Sequence, residues 1–251
     1  MDDDAQVARE LARLDRGESR VCPHLHLAWA SGDRGAIRGV LGPGLDGIRG
    51  VEAVARRIVG NRDGARVTIR IVVTGPESTG KSTLAAVLGD RLRAPVVPEA
   101  ARRYAEAQLE TDPAHTLLAT DVAPIARLAM SLEEQAMAAR PAVAVFDTDL
   151  VSTVVYARHY YGSAPAWVEA EARQRRGDLY LLCATDLPWT ADGIRDRPSA
   201  REELLRAFGD AMCEFGCTAE WVEGTGVARL ESAVRALGQH DITRPLGEVL
   251  T

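Results

Sequence analysis

Lysine is almost absent from this chain. Its 251 residues contain one, Lys81, and arginine supplies the rest of the 30 basic residues. Aromatic residues are sparse at 5%, and the four cysteines (Cys22, Cys183, Cys213 and Cys217) include no C-x-x-C pair. That usage excludes a dense disulfide framework and agrees with a reduced, cytoplasmic setting. No apolar run reaches the roughly 18–20 residues of a membrane-spanning helix. The chain opens on Met1-Asp2-Asp3-Asp4, acidic where a secretory signal is basic. A net charge of −6 argues against a nucleic-acid partner, whose phosphates call for a basic surface. Core-building residues are in ordinary supply, 46% hydrophobic against 26% charged, enough for a sizeable globular core.

The lone lysine lies in Gly75-Pro76-Glu77-Ser78-Thr79-Gly80-Lys81-Ser82, which fits G-x-x-x-x-G-K-[ST] without a mismatch. Val67 to Val73 before it is β-branched and reads as a buried strand; Thr83 to Leu88 after it has helical spacing, ending at Gly89. Strand, glycine loop and helix thus come in the order a phosphate-binding loop requires. Gly75 and Gly80 permit backbone conformations and a closeness to ligand that a Cβ would block. The loop amides and the helix N-terminus then face the phosphates of ATP. Lys81 reaches the β- and γ-phosphates and the Ser82 hydroxyl ligates Mg²⁺, with Glu77, Ser78, Thr79 and Thr83 completing the nucleotide-binding set. A compact ammonium on a flexible stem suits position 81 where a planar guanidinium does not.

Two parts are expected: a small helical appendage over residues 1–65, and an α/β domain over residues 66–251. In the first, Ala5 to Leu14 and Val51 to Val59 look helical around a glycine-rich span. Charges there are balanced, which disfavours a DNA-binding helix pair. Cys22-Pro23-His24-Leu25-His26 lacks the second ligand pair of a zinc site. From Val67 strands and helices alternate, predicting a five-stranded parallel sheet with helices on both faces, a P-loop kinase-like fold. The further strands are Ala94–Val97, Ala142–Phe146, Leu179–Leu182 and Ala219–Val222. Helices are predicted at Ala101–Glu110, Pro124–Ala139, Val151–Tyr161, Ala166–Arg175, Arg201–Phe215 and Val227–Leu237.

Ligands of open parallel sheets sit beyond the carboxyl ends of the strands. Asp147 ends an apolar strand in the manner of a Mg²⁺-holding acid, alongside Ser82. Asp147 and Asp149 flank Thr148; helix capping is the plain alternative for such an aspartate. Glu99 follows the second strand, where it can orient an acceptor hydroxyl and take its proton, or pair with Arg102 or Arg103 one turn on. Glu99 and Asp149 are both open as the general base. The loop Asp186 to Pro198 carries Trp189, Asp192, Arg195 and Arg197; the two arginines would bring positive charge to a transferring phosphoryl group. Tyr104, Tyr156, Tyr160, Tyr161 and Trp167 are candidates for stacking on a base.

Gly75 to Thr83 (GPESTGKST), Glu99-Ala-Ala-Arg-Arg-Tyr104, Phe146-Asp-Thr-Asp-Leu150 and Pro188-Trp-x-x-Asp-Gly-x-Arg195 occur in this order. The series resembles the ribosylnicotinamide kinase domain of the bacterial NadR family, over roughly residues 67–240. The resemblance implies transfer of the ATP γ-phosphate to the 5′-hydroxyl of nicotinamide riboside. It implies an acceptor site drawing on Glu99, Arg102, Tyr104, Asp147, Asp149, Trp189 and Asp192. Ala100 departs from the aromatic residue common after that glutamate in the family, which removes a ring near the acceptor. The first 65 residues are too few for the adenylyltransferase domain of full-length members and show no H-x-G-H element. A kinase of another nucleoside and a non-catalytic ATP sensor are the alternative readings, and a homo-oligomer is compatible with the sequence.

Overall fold

The computed structural model describes residues 68–188 and 201–240. The expected appendage, Trp189, Asp192, Arg195 and Arg197 lie outside the described residues. The chain runs β1 (Ile69–Thr74), α1 (Lys81–Leu92), β2 (Val96–Val97), α2 (Ala100–Thr111), α3 (Val122–Met137), β3 (Val143–Asp147), α4 (Leu150–Tyr161), α5 (Ala166–Gln174), β4 (Leu179–Cys183), α6 (Arg201–Glu214), β5 (Ala219–Val222) and α7 (Val227–Gln239). One parallel sheet holds the five strands in the order β2-β3-β1-β4-β5. The connection after β1 runs to one side of the sheet and that after β3 to the other. A crevice therefore opens between the carboxyl ends of these neighbours, the point where such sheets bind ligands.

The period-two alternation of the strands assigns each side chain to a face. Ile71, Val73, Val145, Leu179 and Leu181 pack with Leu84 and Leu88 of α1 and Val234 and Leu237 of α7. Val72, Phe146, Tyr180 and Leu182 pack on the other face with Val151 and Val154 of α4 and with Phe208 and Met212 of α6. Full burial of side chains such as Phe208 is worth about 1.5–3 kcal/mol each. The expected layering is the one found.

Several boundaries shift by a few residues from the predicted ones, and three of the differences have a physical reason. Helix α1 does not stop at Gly89 but runs on to Leu92 and ends at Arg93 in the left-handed region (φ 52°). A Cβ at position 89 would lie 2.2 Å from Val96 Cγ2, so this glycine serves close packing of α1 against β2 rather than termination. Strand β2 is shorter than predicted. The Pro95 carbonyl accepts from Val145 N at 3.0 Å, but Pro95 has no N–H to donate in return. Helix α3 begins two residues before Pro124, which sits in the first turn, where the missing N–H breaks no intrahelical bond.

Candidate functional site

The phosphate loop joins β1 to α1 at the crevice. Gly75 has φ +133° and Gly80 φ +75°. A Cβ on Gly75 would lie 2.9 Å from the Cys183 carbonyl oxygen, and one on Gly80 would lie 2.9 Å from Leu187 Cδ1. Both glycines are therefore required by conformation, and Gly75 also by space, since its neighbour is backbone. Thr79 Oγ1 donates to the Pro76 carbonyl at 2.8 Å, and Lys81 Nζ donates to the same oxygen at 2.6 Å. The ammonium is thus held over the loop and buried with it. The first turn of α1 contains no acidic side chain to neutralise its N-terminal field.

Two acidic residues come to this loop from the adjoining strand ends. Asp147, the last residue of β3, is buried, and its carboxylate is hydrogen-bonded by the Ser82 side chain. Burial is the main cause that pushes the Asp147 pKa above its ordinary 3.8. The Ser82 bond opposes this, nearby Glu99 reinforces it, and Lys81 and Arg102 oppose it. Its Oδ1 is buried and has no hydrogen-bond partner among the described residues. Glu99 precedes α2 as its N-cap residue, yet its side chain makes no capping bond. It is 8% exposed and lies 3.7 Å from Arg102 Nε, the pairing anticipated as the alternative to a catalytic role.

Thr148 turns the chain sharply after β3. Its φ of +67° is an unusual conformation for a β-branched residue, costing about 1–3 kcal/mol. Its amide still donates to the Val73 carbonyl at 3.0 Å. The turn separates the two aspartates. Asp147 faces Ser82, whereas Asp149 caps α4, accepting from Ser152 N at 3.1 Å through Oδ1 and from the Tyr180 hydroxyl at 2.6 Å through Oδ2. Burial raises the Asp149 pKa, with the Tyr180 and Ser152 bonds and the charge of Arg70 opposing. Helix capping, the plain use of such an aspartate, is thus realised at Asp149.

Beside the loop lies a cavity of about 310 Å³. Glu99, Thr148 and Asp149 line it together with Ala100, Phe146, Tyr156, Tyr160 and Tyr161. Three of its rings, Tyr156, Tyr160 and Tyr161, come from α4, and Phe146 comes from β3. Two of them reach the phosphate loop: the Tyr156 hydroxyl donates to the Gly75 carbonyl at 3.3 Å, and the Tyr160 hydroxyl to Glu77 Oε1 at 2.6 Å. Tyr161 donates to the Leu117 carbonyl at 2.8 Å. Tyr104 is not part of this wall; its hydroxyl donates to Asp121 Oδ1 at 2.9 Å. Trp167 is half-exposed under the Arg127 guanidinium, also away from the cavity.

Sequence reasoning did not find Arg201, Arg229, Glu133 or Arg175. Arg201 donates to the Leu187 carbonyl at 3.1 Å and to the Ser78 carbonyl of the phosphate loop at 3.3 Å. Arg229 is 4% exposed, bonds the Gly224 carbonyl at 2.8 Å and pairs with Asp186. Glu133 and Arg175 both line the cavity. The one signal was Glu133 standing on the apolar stripe of α3 with Ile125, Ala126 and Leu132.

The AAA_28 family, described as an AAA domain, matches residues 70–229. Among curated proteins, the trifunctional NAD biosynthesis/regulator protein NadR of Salmonella typhimurium is 31% identical over 145 residues, 58% of this chain and 35% of that protein. Its Escherichia coli counterpart is 32% identical over 151 residues, 58% of this chain and 37% of that one. The chain thus spans about a third of the length of these curated relatives. Two crystal structures of NadR protein share the fold at 22% identity, covering 68% of this chain. One, in complex with NR, has a TM-score of 0.55 and is covered over 50% of its length. The other, in complex with NAD and AMP-PNP, has 0.51 and 49%. No helix among the described residues is long and apolar enough to cross a membrane. The glycine loop between β1 and α1 and the five-stranded parallel sheet are those of a P-loop nucleotide-binding domain, and the chain belongs to the AAA_28 family of AAA domains.

Proposed function

We propose that this chain is an ATP-dependent kinase of a nucleoside-like acceptor, and that nicotinamide riboside is the acceptor, phosphorylated on its 5′-hydroxyl to nicotinamide mononucleotide. The observation that carries this reading is Glu99 buried beside the Ser82–Asp147 pair, on the wall of a cavity that adjoins the phosphate loop. A cavity of about 310 Å³ is at the small end of the ligand-pocket range and suits a nucleoside. The likeness to NadR, one structure of which holds NR, supports the choice of acceptor.

Lys81, the loop amides and the N-terminus of α1 hold the ATP phosphates. The buried Asp147 Oδ1 without a partner and the Ser82 hydroxyl fit Mg²⁺, which takes one or two carboxylates and completes its shell with phosphate oxygens and water. No group of three His, Cys, Asp or Glu that could hold a metal occurs among the described residues, in keeping with an ion that arrives with the nucleotide. When bound, it neutralises charge on the phosphates. Glu99 orients the acceptor hydroxyl and takes its proton. Asp149 fits that role less well, because Ser152 and Tyr180 occupy its oxygens. Arg195 and Arg197 supply positive charge to the transferring group, and Arg201 steadies the loop through Ser78.

ADP release measured against a panel of ribosides tests this. Nicotinamide riboside is expected to drive ATP turnover. Turnover with another nucleoside alone would replace the acceptor, and ATP binding without turnover on any acceptor would leave a nucleotide sensor.

A further inference from the structure

The wall of the cavity remote from the phosphate loop carries charge that the phosphoryl-transfer chemistry does not use. Glu133 of α3 is 9% exposed, lines the cavity and is paired with two arginines. Arg70 Nη2 lies at 2.8 Å and Arg175 Nη1 at 3.4 Å, both from Glu133 Oε1. Arg70 is the second residue of β1, four before Thr74, about 13 Å back along the strand from the loop. Arg175 follows α5 just before β4, at the same amino-terminal side of the sheet.

The balance of charge in this cluster is negative. Arg175 is also held by Glu171 at 2.9 Å and Glu134 at 3.3 Å, so three carboxylates (Glu133, Glu134, Glu171) face two guanidiniums. All three Arg175 nitrogens are engaged with carboxylates, which leaves little of its charge for a ligand. Both arginines approach Glu133 at Oε1, and its side chain lines the cavity, within reach of whatever enters it. A carboxylate oxygen only accepts. A desolvated one favours a positive or N–H-bearing group and repels an anion.

We propose that Glu133 is the specificity-determining residue for the end of the acceptor remote from the phosphorylated hydroxyl, selecting a cationic, amide-bearing ring over one carrying a carboxylate. This rests on the kinase reading above and extends it to substrate selection.

The test compares kcat/KM for nicotinamide riboside and for the riboside of the corresponding ring carboxylic acid, in the wild-type protein and in Glu133→Gln. The wild type is expected to favour the carboxamide by at least about tenfold, the worth of one hydrogen bond to a charged group. In Glu133→Gln that ratio collapses, through a raised KM for the carboxamide, while the KM for ATP is unchanged. Glu134→Gln also removes a partner of Arg175 but does not line the cavity, and it is expected to keep the wild-type ratio. Should Glu133→Gln fail to fold, Glu133→Asp keeps the charge, withdraws it by one methylene and is expected to lower the ratio. Equal use of the two ribosides by the wild type, or an unchanged ratio in a folded Glu133 variant, overturns the assignment and leaves the kinase reading standing. ATP turnover with neither riboside nor any other nucleoside overturns both.

Discussion

The Tyr160 hydroxyl donates to Glu77 Oε1 at 2.6 Å, so the wall of the cavity is tied directly to the phosphate-binding loop. Glu77 is buried, and an acid at this position lies close to where a nucleotide's own negative charge is placed. The bond holds the carboxylate against α4. Tyr156 makes a second tie, to the Gly75 carbonyl.

Tyr160→Phe keeps the ring and removes the donor. Leaving a buried acceptor short of a partner costs about 1–3 kcal/mol. Both the acceptor KM and the ATP KM are expected to rise, because one bond serves both sites. Steady-state kinetics with each substrate varied in turn checks this; a change confined to the acceptor would show that the ring matters and the bond does not.

Lys81→Ala is expected to abolish phosphoryl transfer and leave the circular-dichroism spectrum and the melting transition near those of the wild type. The Lys81 ammonium bonds the Pro76 carbonyl within its own loop. Retained turnover in a folded Lys81→Ala protein would remove the phosphate-holding role.

Asp147 is a buried carboxylate whose pKa burial pushes upward from 3.8. A group that binds its proton more tightly when folded favours the native state below its unfolded pKa, and that contribution is lost as pH rises through the raised native value. At pH 7 the charged form therefore burdens the nucleotide-free protein. Asp147→Asn is expected to raise Tm at pH 7 by about 2–4 °C for each kcal/mol relieved, while weakening Mg²⁺-dependent nucleotide binding. The gain should shrink as pH falls toward 4. Thermal melts of both proteins across pH 4–8, with and without Mg²⁺–ATP, measure both effects; a lower Tm at pH 7 would contradict the burial argument.

Glu99 and Asp149 separate by two readouts. Glu99→Gln is expected to lower kcat by about 10²–10⁴, the range of general-base catalysis, with little change in Tm. Asp149→Asn keeps a competent cap residue but weakens the acceptor of the Tyr180 hydroxyl, so its main expected effect is on Tm. A large fall in kcat for Asp149→Asn at unchanged Tm would transfer the base to Asp149.

The phosphate loop was legible because its chemistry is local. Gly75, Gly80, Lys81 and Ser82 are constrained by a loop of eight residues between a strand and a helix, and the same short range holds for Asp147 at the end of its strand. Gly89 was misread as a helix stop because its reason lies in Val96, across a turn and on another element. Tyr104 looked equivalent to the α4 tyrosines as a ring near the site. Its direction depends on how α2 packs on α3, and there it meets Asp121.

Residue order alone determined the alternation of strands and helices, the two-faced burial that follows from period-two strands, and the nucleotide loop, since each arises from interactions among near neighbours. Tertiary structure alone decided the strand order β2-β3-β1-β4-β5, and with it which acids meet the loop. Asp147 and Asp149 are two residues apart in the chain, yet the left-handed turn at Thr148 sends one to Ser82 and the other to a helix cap. Glu133 reaches Arg70 and Arg175 across separations of 63 and 42 residues. Such meetings are set by how helices dock on the sheet, a property of the packed core that no short stretch of sequence contains.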